Sequence, residues 1–441
     1  MTTGKGDVSE SLLKDFLNTH HHVQFIRLQW VDYSGVLRAR IVTKSIALKL
    51  ASGSDEYSVP QSCLITPLSG PSEEFFEAIE DWKLIPDWSS LAVCGFRPSH
   101  AAVMCFTAQA GLEDPLARCP RKLLSTLVQE VEEKCGSKIL MGFEMEFSFH
   151  DEAGNIVRTI DRSIDNCMMA GLRTTNLTIL EDVVLALQTS GVESYHIHVE
   201  RGDQFEIALA PMPPMQAIDA VVMAQETLRT ISLQHGLRAS LAPKPVYHGP
   251  LHGLHFHFSL NPTPANAPAF LAGVLSKLRT LCVFGLPSFD SYSRVVEECV
   301  GEWVGYGTGN RDMPIRRVND GRWEFRLLDA TANAYLFTAA MLASGLEGVK
   351  EKRELTMKDC QIVTYAFEPE EAEEMLRKHG ITERLPATLA ESIEVARKDE
   401  GMKALVGEML LKKYLQVKSK DNRCFGLMTE EERRLRILDF F

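Results

Sequence analysis

Positive charge is in short supply in this chain. Of 441 residues, 47 are lysine or arginine and 59 are aspartate or glutamate, a formal net charge of −12. That deficit argues against a nucleic-acid partner. An anionic ligand would need local arginines or bound cations. No apolar run reaches the length of a membrane span, so no membrane partner is expected. The opening MTTGKGDVSESLLKDF lacks the apolar core of a secretory signal. The ten cysteines contain no Cys-x-x-Cys pair. Reduced thiols in a cytoplasmic protein fit this better than a disulfide framework or a zinc site. There is no internal repeat, low-complexity tract or dinucleotide signature.

What is present is soluble globular composition, 45% hydrophobic and 24% charged, in a chain long enough for two domains. A short helix is expected over 8–18. HHVQFIRLQWVDYSGVLRARIV reads as two strands joined by a turn at Tyr33-Ser34-Gly35. With the apolar runs that follow, it suggests a small β-rich unit. GLEDPLARCPRK marks a boundary. An amphipathic helix then starts at Pro120, carries Leu123, Leu124, Leu127, Val128 and Val131 on one stripe, and stops at Gly136. Strands and helices alternate afterwards, and the last 90 residues have a charged, helical pattern. The triple histidine His20–His22 reads as a loop before the first strand, because neighbours along a chain point in different directions.

Four strands pose one question. MGFEMEFSFH puts Glu144 and Glu146 on one face and Phe143, Met145 and Phe147 on the other. GLHFHFSL sets His255, His257 and Ser259 against Leu254, Phe256 and Phe258. RWEFRLLD sets Arg322, Glu324 and Arg326 against Trp323, Phe325 and Leu327. DQFEIAL offers Gln204 and Glu206 together. One such strand is ordinarily a sheet with a wet face. Here the polar residues are glutamate, histidine and arginine, with few lysines, serines or threonines. That bias favours a site lined by a concave sheet. Glutamates with a histidine and no cysteine suit Mg²⁺ or Mn²⁺ better than zinc. Arginines among them point to an anionic substrate, a nucleoside triphosphate such as ATP first of all. The plain alternative for Glu324 is an ion pair with those arginines. For Arg294, Arg311 and Arg316, in the glycine-rich stretch around GYGTGN, it is a solvated loop.

In order along the chain, FEMEF, DQFEI, LAPKP, GLHFHFSL, NRDMPIR and RWEFRLLDATANAYL resemble the motifs of the glutamine synthetase superfamily, bacterial-like type I. The resemblance runs from about residue 22 to the C-terminus. It implies an α+β fold: a helical lead-in over 1–21, a small β-grasp-like domain over 22–112, and a catalytic domain over 113–441 with a curved antiparallel sheet flanked by helices. It implies a ring homo-oligomer with active sites between subunits. It also implies that Glu144, Glu146, Glu206, His255 and Glu324 are metal ligands, and that Ser259 and Arg322 contact nucleotide. His257 matches a substrate or phosphate contact. Arg294 and Arg326 match groups holding the carboxylates of glutamate. Arg311 and Arg316 match groups around the transferred phosphate. Asp32 matches an aspartate that a neighbouring subunit lends to an ammonium site.

Two segments depart from the pattern. The family has a metal-binding glutamate seven or eight residues before the one matched by Glu206. Here YHIHVERGDQFE puts Val199 and His198 at those offsets and Glu200 only six back. Either Glu200 serves through a shifted loop or His198 replaces a carboxylate. The family's Asn-Gly-Ser-Gly before the histidine strand, a substrate contact, is here Pro250-Leu251-His252-Gly253. The expectation is an ATP-dependent carboxylate–amine ligase working through an acyl phosphate. The carboxylate is glutamate-like, the acceptor ammonia or an organic amine, and the cations Mg²⁺ or Mn²⁺. The alternative is a catalytically altered relative with a structural or signalling role.

Overall fold

The computed structural model describes residues 3–71 and 81–441, with side chains from Val8 onward. The fourteen strands among these described residues fall into two sheets. The first takes β1 (Phe25–Val31), β2 (Leu37–Thr43), β3 (Tyr57–Pro60), β4 (Asp81–Pro86), β5 (Ala92–Val93) and β6 (His100–Gln109). Its order is β2-β1-β6-β4-β3, with β5 also on β6, and only the β1–β6 pair is parallel. The Tyr33-Ser34-Gly35 turn joins β1 to β2 as expected. Gly35 has φ +85°, and a Cβ there would stand 2.2 Å from the Thr331 carbonyl oxygen. No side chain fits at that contact.

The second sheet holds β7 (Lys138–His150), β8 (Ser194–Val199), β9 (Gln204–Leu209), β10 (Arg238–Ser240), β11 (Leu254–Asn261), β12 (Tyr306–Thr308), β13 (Ile315–Asn319) and β14 (Arg322–Phe325). Its order is β12-β13-β14-β11-β7-β9-β8, with β10 on β7. All pairs but β12–β13 are antiparallel. The fold is α+β, and this sheet is a curved half-barrel flanked by helices.

Its apolar face is built from the alternate residues the sequence marks. Phe143, Phe256 and Phe325 sit opposite one another on β7, β11 and β14. The rings of Phe256 and Phe325 stack at 4.9 Å and 8°, and Phe143 lies 5.6 Å from Phe256. Each such pair adds about 0.5–1.5 kcal/mol beyond burial. Phe337, on the buried helix Ala334–Glu351, meets Phe256 edge-on at 5.7 Å. That helix starts at Asn333, whose Oδ1 accepts from Leu336 N. The helix Pro120–Cys135 packs beside it and ends at Gly136 in the left-handed conformation.

The two sheets are tied by buried polar contacts. The Arg121 guanidinium pairs with Asp87 before β5 and with Asp219 on the helix Pro214–Gln234, and donates to Tyr335 Oη at 3.0 Å. Asn333 Nδ2 donates to the Asp32 carbonyl at 3.0 Å. RWEFRLLD is a shorter strand than expected, ending at Phe325, so Arg326 lies just past it. In the second sheet, the strands β8, β10, β12 and β13 are additions that the sequence pattern does not mark. No single helix among the described residues is long and apolar enough to cross a membrane. All ten cysteines are free.

Candidate active site

Strand register assembles the polar face in rows. His198, Glu206 and Glu146 stand opposite one another on β8, β9 and β7. In the next row Glu144 faces His255 across β7 and β11. In the third, His257, Glu324 and Arg316 face one another across β11, β14 and β13. Four glutamates from distant parts of the chain therefore share one concave surface. Carboxylates crowded this way repel unless cations separate them.

His255 Nδ1 faces three of them, at 3.8 Å from Glu144, 3.7 Å from Glu146 and 3.7 Å from Glu324. Glu144 also accepts from His257 Nε2 at 2.8 Å. Burial would push the Glu144 carboxyl up, but the His255 and His257 imidazoles outweigh it and hold the group below the usual carboxylate range. Glu324 is buried too, and Arg326, His255 and Arg316 bring its carboxyl below the usual range. Its two oxygens meet Arg326 Nη1 at 2.6 Å and Arg316 Nη1 at 2.5 Å. Glu206 goes the other way. Burial and the charges of Glu144, Glu146, Glu200 and Glu324 drive it well above that range. One cluster thus holds carboxyls pushed in opposite directions, a pattern common at functional sites.

The departing segment before β11 positions Glu146. Gly253 N donates to Glu146 Oε2 at 2.5 Å, and Gln204 Nε2 donates to the same oxygen and to the Leu251 carbonyl, both at 3.0 Å. A Cβ at Gly253 would lie 2.6 Å from Arg294 Nη2 and 2.6 Å from His255 Nε2. Gly253 is therefore required by close packing.

The other departure brings a histidine pair. His198 Nε2 lies 2.6 Å from Glu200 Oε1, while His198 Nδ1 faces Glu206 at 3.8 Å. His196, two residues back on the same face, points Nε2 at Glu206 from 3.5 Å. Burial and the neighbouring His198 lower the His196 pKa, favouring the neutral ring. His196 did not come out of the sequence reading, which counted offsets from Glu206. The signal was the alternation itself, since HIH repeats the spacing of Glu144/Glu146 and His255/His257.

Not every matched residue reaches this cluster. Arg294 is 1% exposed behind His255, with Nη1 on the Leu328 carbonyl and Nη2 on the Arg326 carbonyl and near His255 Nε2. Asp32 is fully buried within its own chain, accepting from Ser34 N, Val36 N and Arg38 Nε. Arg311 is an exposed turn residue and Arg322 an exposed residue on β14. Ser259 is half-buried, its hydroxyl 3.4 Å from the Leu140 carbonyl.

Two donor sets are compact enough for one ion each: Glu144, His255 and Glu324, and His196, His198 and Glu206. Within each set the donor atoms lie within 4.8 Å of one another. His198 Nδ1 is buried without a hydrogen-bond partner. One set pairs two carboxylates with one imidazole and the other one carboxylate with two imidazoles, and both fit divalent cations.

Residues 117–434 match the family model described as the glutamine synthetase catalytic domain. The chain belongs to the glutamine synthetase superfamily. Protein fluG of Emericella nidulans is 31% identical over 442 aligned positions, covering 97% of this chain and 50% of fluG. The chain thus spans half the length of that relative. A glutamine synthetase of Methanocaldococcus jannaschii is 28% identical, covering 90% of this chain and 91% of its own. A solved GmaS–ADP complex superposes with a TM-score of 0.81 at 23% identity, covering 96% of this chain and 98% of the other. That similarity concerns the fold. Membership of the glutamine synthetase superfamily carries ligase ancestry to a sheet whose rows gather glutamate, histidine and arginine.

Proposed function

We propose that this chain is an ATP-dependent carboxylate–amine ligase acting through an acyl phosphate. The observation that carries it is the set of four glutamates on adjacent rows of one sheet, with Arg316 and Arg326 at the edge. A carboxylate oxygen of the acid attacks the γ-phosphorus of ATP, the bond to the β-phosphate oxygen breaks, and ADP leaves. The amine nitrogen then attacks the acyl carbon, inorganic phosphate departs, and the nitrogen loses a proton. Bound divalent cations would neutralise phosphate charge and polarise the transferring group. Glu144, Glu146, His255 and Glu324 would hold one, and His196, His198 and Glu206 another. Arg316 and Arg326 present guanidinium groups where charge grows on the phosphoryl oxygens. Gly253 N and Gln204 fix Glu146 so that its free oxygen stays aimed inward. Ser259 and Arg322, further along the same face, are assigned to the nucleotide.

The acid is read as glutamate-like, and the acceptor as ammonia or an organic amine. A histidine pair beside Glu206 attracts a small cation less strongly than carboxylates would, which favours the organic amine. We also assign residues 22–112 to a domain that completes a neighbour's site in a ring, and Arg311 to the surroundings of the transferred phosphate. Asp32, buried and fully satisfied in its own chain, is not assigned to a neighbour's site. The test is ADP release with glutamate, Mg²⁺ or Mn²⁺, and a panel of amines including ammonium. Stimulation by at least one amine is expected. No stimulation by any of them overturns the ligase reading in favour of a non-catalytic role.

A further inference from the structure

We propose that the two ion sites differ in kind. His196, His198 and Glu206 form a nitrogen-rich centre that selects a first-row transition ion of the Zn²⁺ or Co²⁺ class over Mg²⁺. This rests on the reading of the sheet as a divalent-cation site and deepens it.

The β8–β9 pairing places His198 opposite Glu206. A register irregularity between Ser194 and His196 does not disturb the two-residue spacing that keeps His196 and His198 on one face. Glu200 takes the Nε2 side of His198 at 2.6 Å. A carboxylate there accepts the Nε2 proton and leaves the Nδ1 lone pair free, the arrangement that orients metal-bound imidazoles. Nδ1 is buried, lacks a hydrogen-bond partner, and faces Glu206. Glu206 is only 5% exposed. Its facing nitrogens, at 3.5 and 3.8 Å, stand beyond ordinary hydrogen-bond length, about 2.7–3.2 Å. Those gaps match ligands each about 2.1 Å from a shared ion.

The neighbouring set is different. His255 Nδ1 is ringed by Glu144, Glu146 and Glu324, an oxygen-rich arrangement that suits Mg²⁺ or Mn²⁺. Two imidazoles against one carboxylate suit softer ions, and Mg²⁺ gives up water reluctantly for nitrogen. In this account Glu200 is a positioning residue: it acts through His198.

The experiment uses the full metal-stripped chain, without ATP or amine, titrated with Co²⁺ and followed by visible absorption and equilibrium dialysis. One Co²⁺ per chain is expected to survive a roughly hundred-fold excess of Mg²⁺. His196→Gln and His198→Gln should each weaken that ion by about 10–100-fold and shift its absorption band. Glu200→Gln should weaken it by about 10-fold and also move the band. Displacement of all Co²⁺ by Mg²⁺ overturns the proposal, and this arm needs no variant. So do histidine variants that bind Co²⁺ as the parent does. His196 is 44% exposed, so its replacement leaves the core intact. Because no turnover is measured, failure here is separate from failure of the ligase reading.

Discussion

Asp32, in the turn joining two strands of the first sheet, and Glu206, on a strand of the second, are both buried carboxylates, and burial pushes both upward. Asp32 has three donors, the Ser34 and Val36 amides and Arg38 Nε, at 2.8–2.9 Å. Glu206 has only imidazole nitrogens at 3.5 and 3.8 Å, with other carboxylates around it. Burial therefore does not separate a structural acid from a functional one. The inventory of donors does: a satisfied carboxylate holds its own turn together, while an unsatisfied one awaits a cation.

The strongest way to break this distinction is a third acid. Glu324 has a guanidinium on each oxygen, which by donor counting alone would make it structural, yet it faces the shared site. Glu324→Ala is expected to lower amine-dependent ADP release by at least about 10²–10³-fold, with circular dichroism and thermal melting showing a folded chain. Unchanged turnover in a folded variant would remove Glu324 from the chemistry.

Asp32→Ala should act on stability. It orphans the two buried amides and is expected to cost about 2–4 kcal/mol in denaturant unfolding. Asp32 also supplies a pH test. Burial, against the opposing pull of Arg38 and the two amides, raises its carboxyl from 3.8 to about 6. The folded chain then holds the proton more tightly than the unfolded one. The protonated acid's contribution is complete below about pH 3.8 and is lost as pH climbs through about 6. Relative to Asp32→Asn, the parent should lose about 2–3 kcal/mol of stability between pH 4 and 6.5. Parallel curves would contradict this.

Glu206→Gln should barely move stability, because burial and the neighbouring carboxylates already favour the uncharged acid at that position. The metal-free chain is expected to change by less than about 1 kcal/mol, while the ion held by the histidine pair is lost in dialysis. Destabilisation of the metal-free chain would place Glu206 with Asp32. The smallest effect belongs to His20, His21 and His22, which adjoin no carboxylate cluster. Their joint replacement by alanine should change stability by less than about 0.5 kcal/mol and leave metal uptake unchanged.

Much of this was legible in the sequence because the second sheet obeys a period of two. Strand alternation alone marks Glu144, Glu146, His255, His257 and Glu324, and register gathers them. The helix Pro120–Cys135 was readable from its proline start, apolar stripe and glycine stop. β13 was not: Arg316 and Arg317 are set in a glycine-rich stretch whose strand character comes from pairing with β14, a non-local contact. Counting back from Glu206 privileges one offset and misses His196, whereas a strand presents every second residue. The partners of Arg294 are illegible for another reason: they lie on segments 32–39 residues away in the chain, whereas those of Asp32 lie within six.

The stacked phenylalanines behind the site have a consequence for how the chain reaches its native pairing. If β11 slid one residue along β7, the rings of Phe256 and Phe258 would swing outward and His255 and His257 would enter the apolar core. Each polar group buried without a partner would cost a few kcal/mol. The wrong alignment is thus penalised on both surfaces at once. The ligand geometry is checked during folding by residues that never touch a ligand.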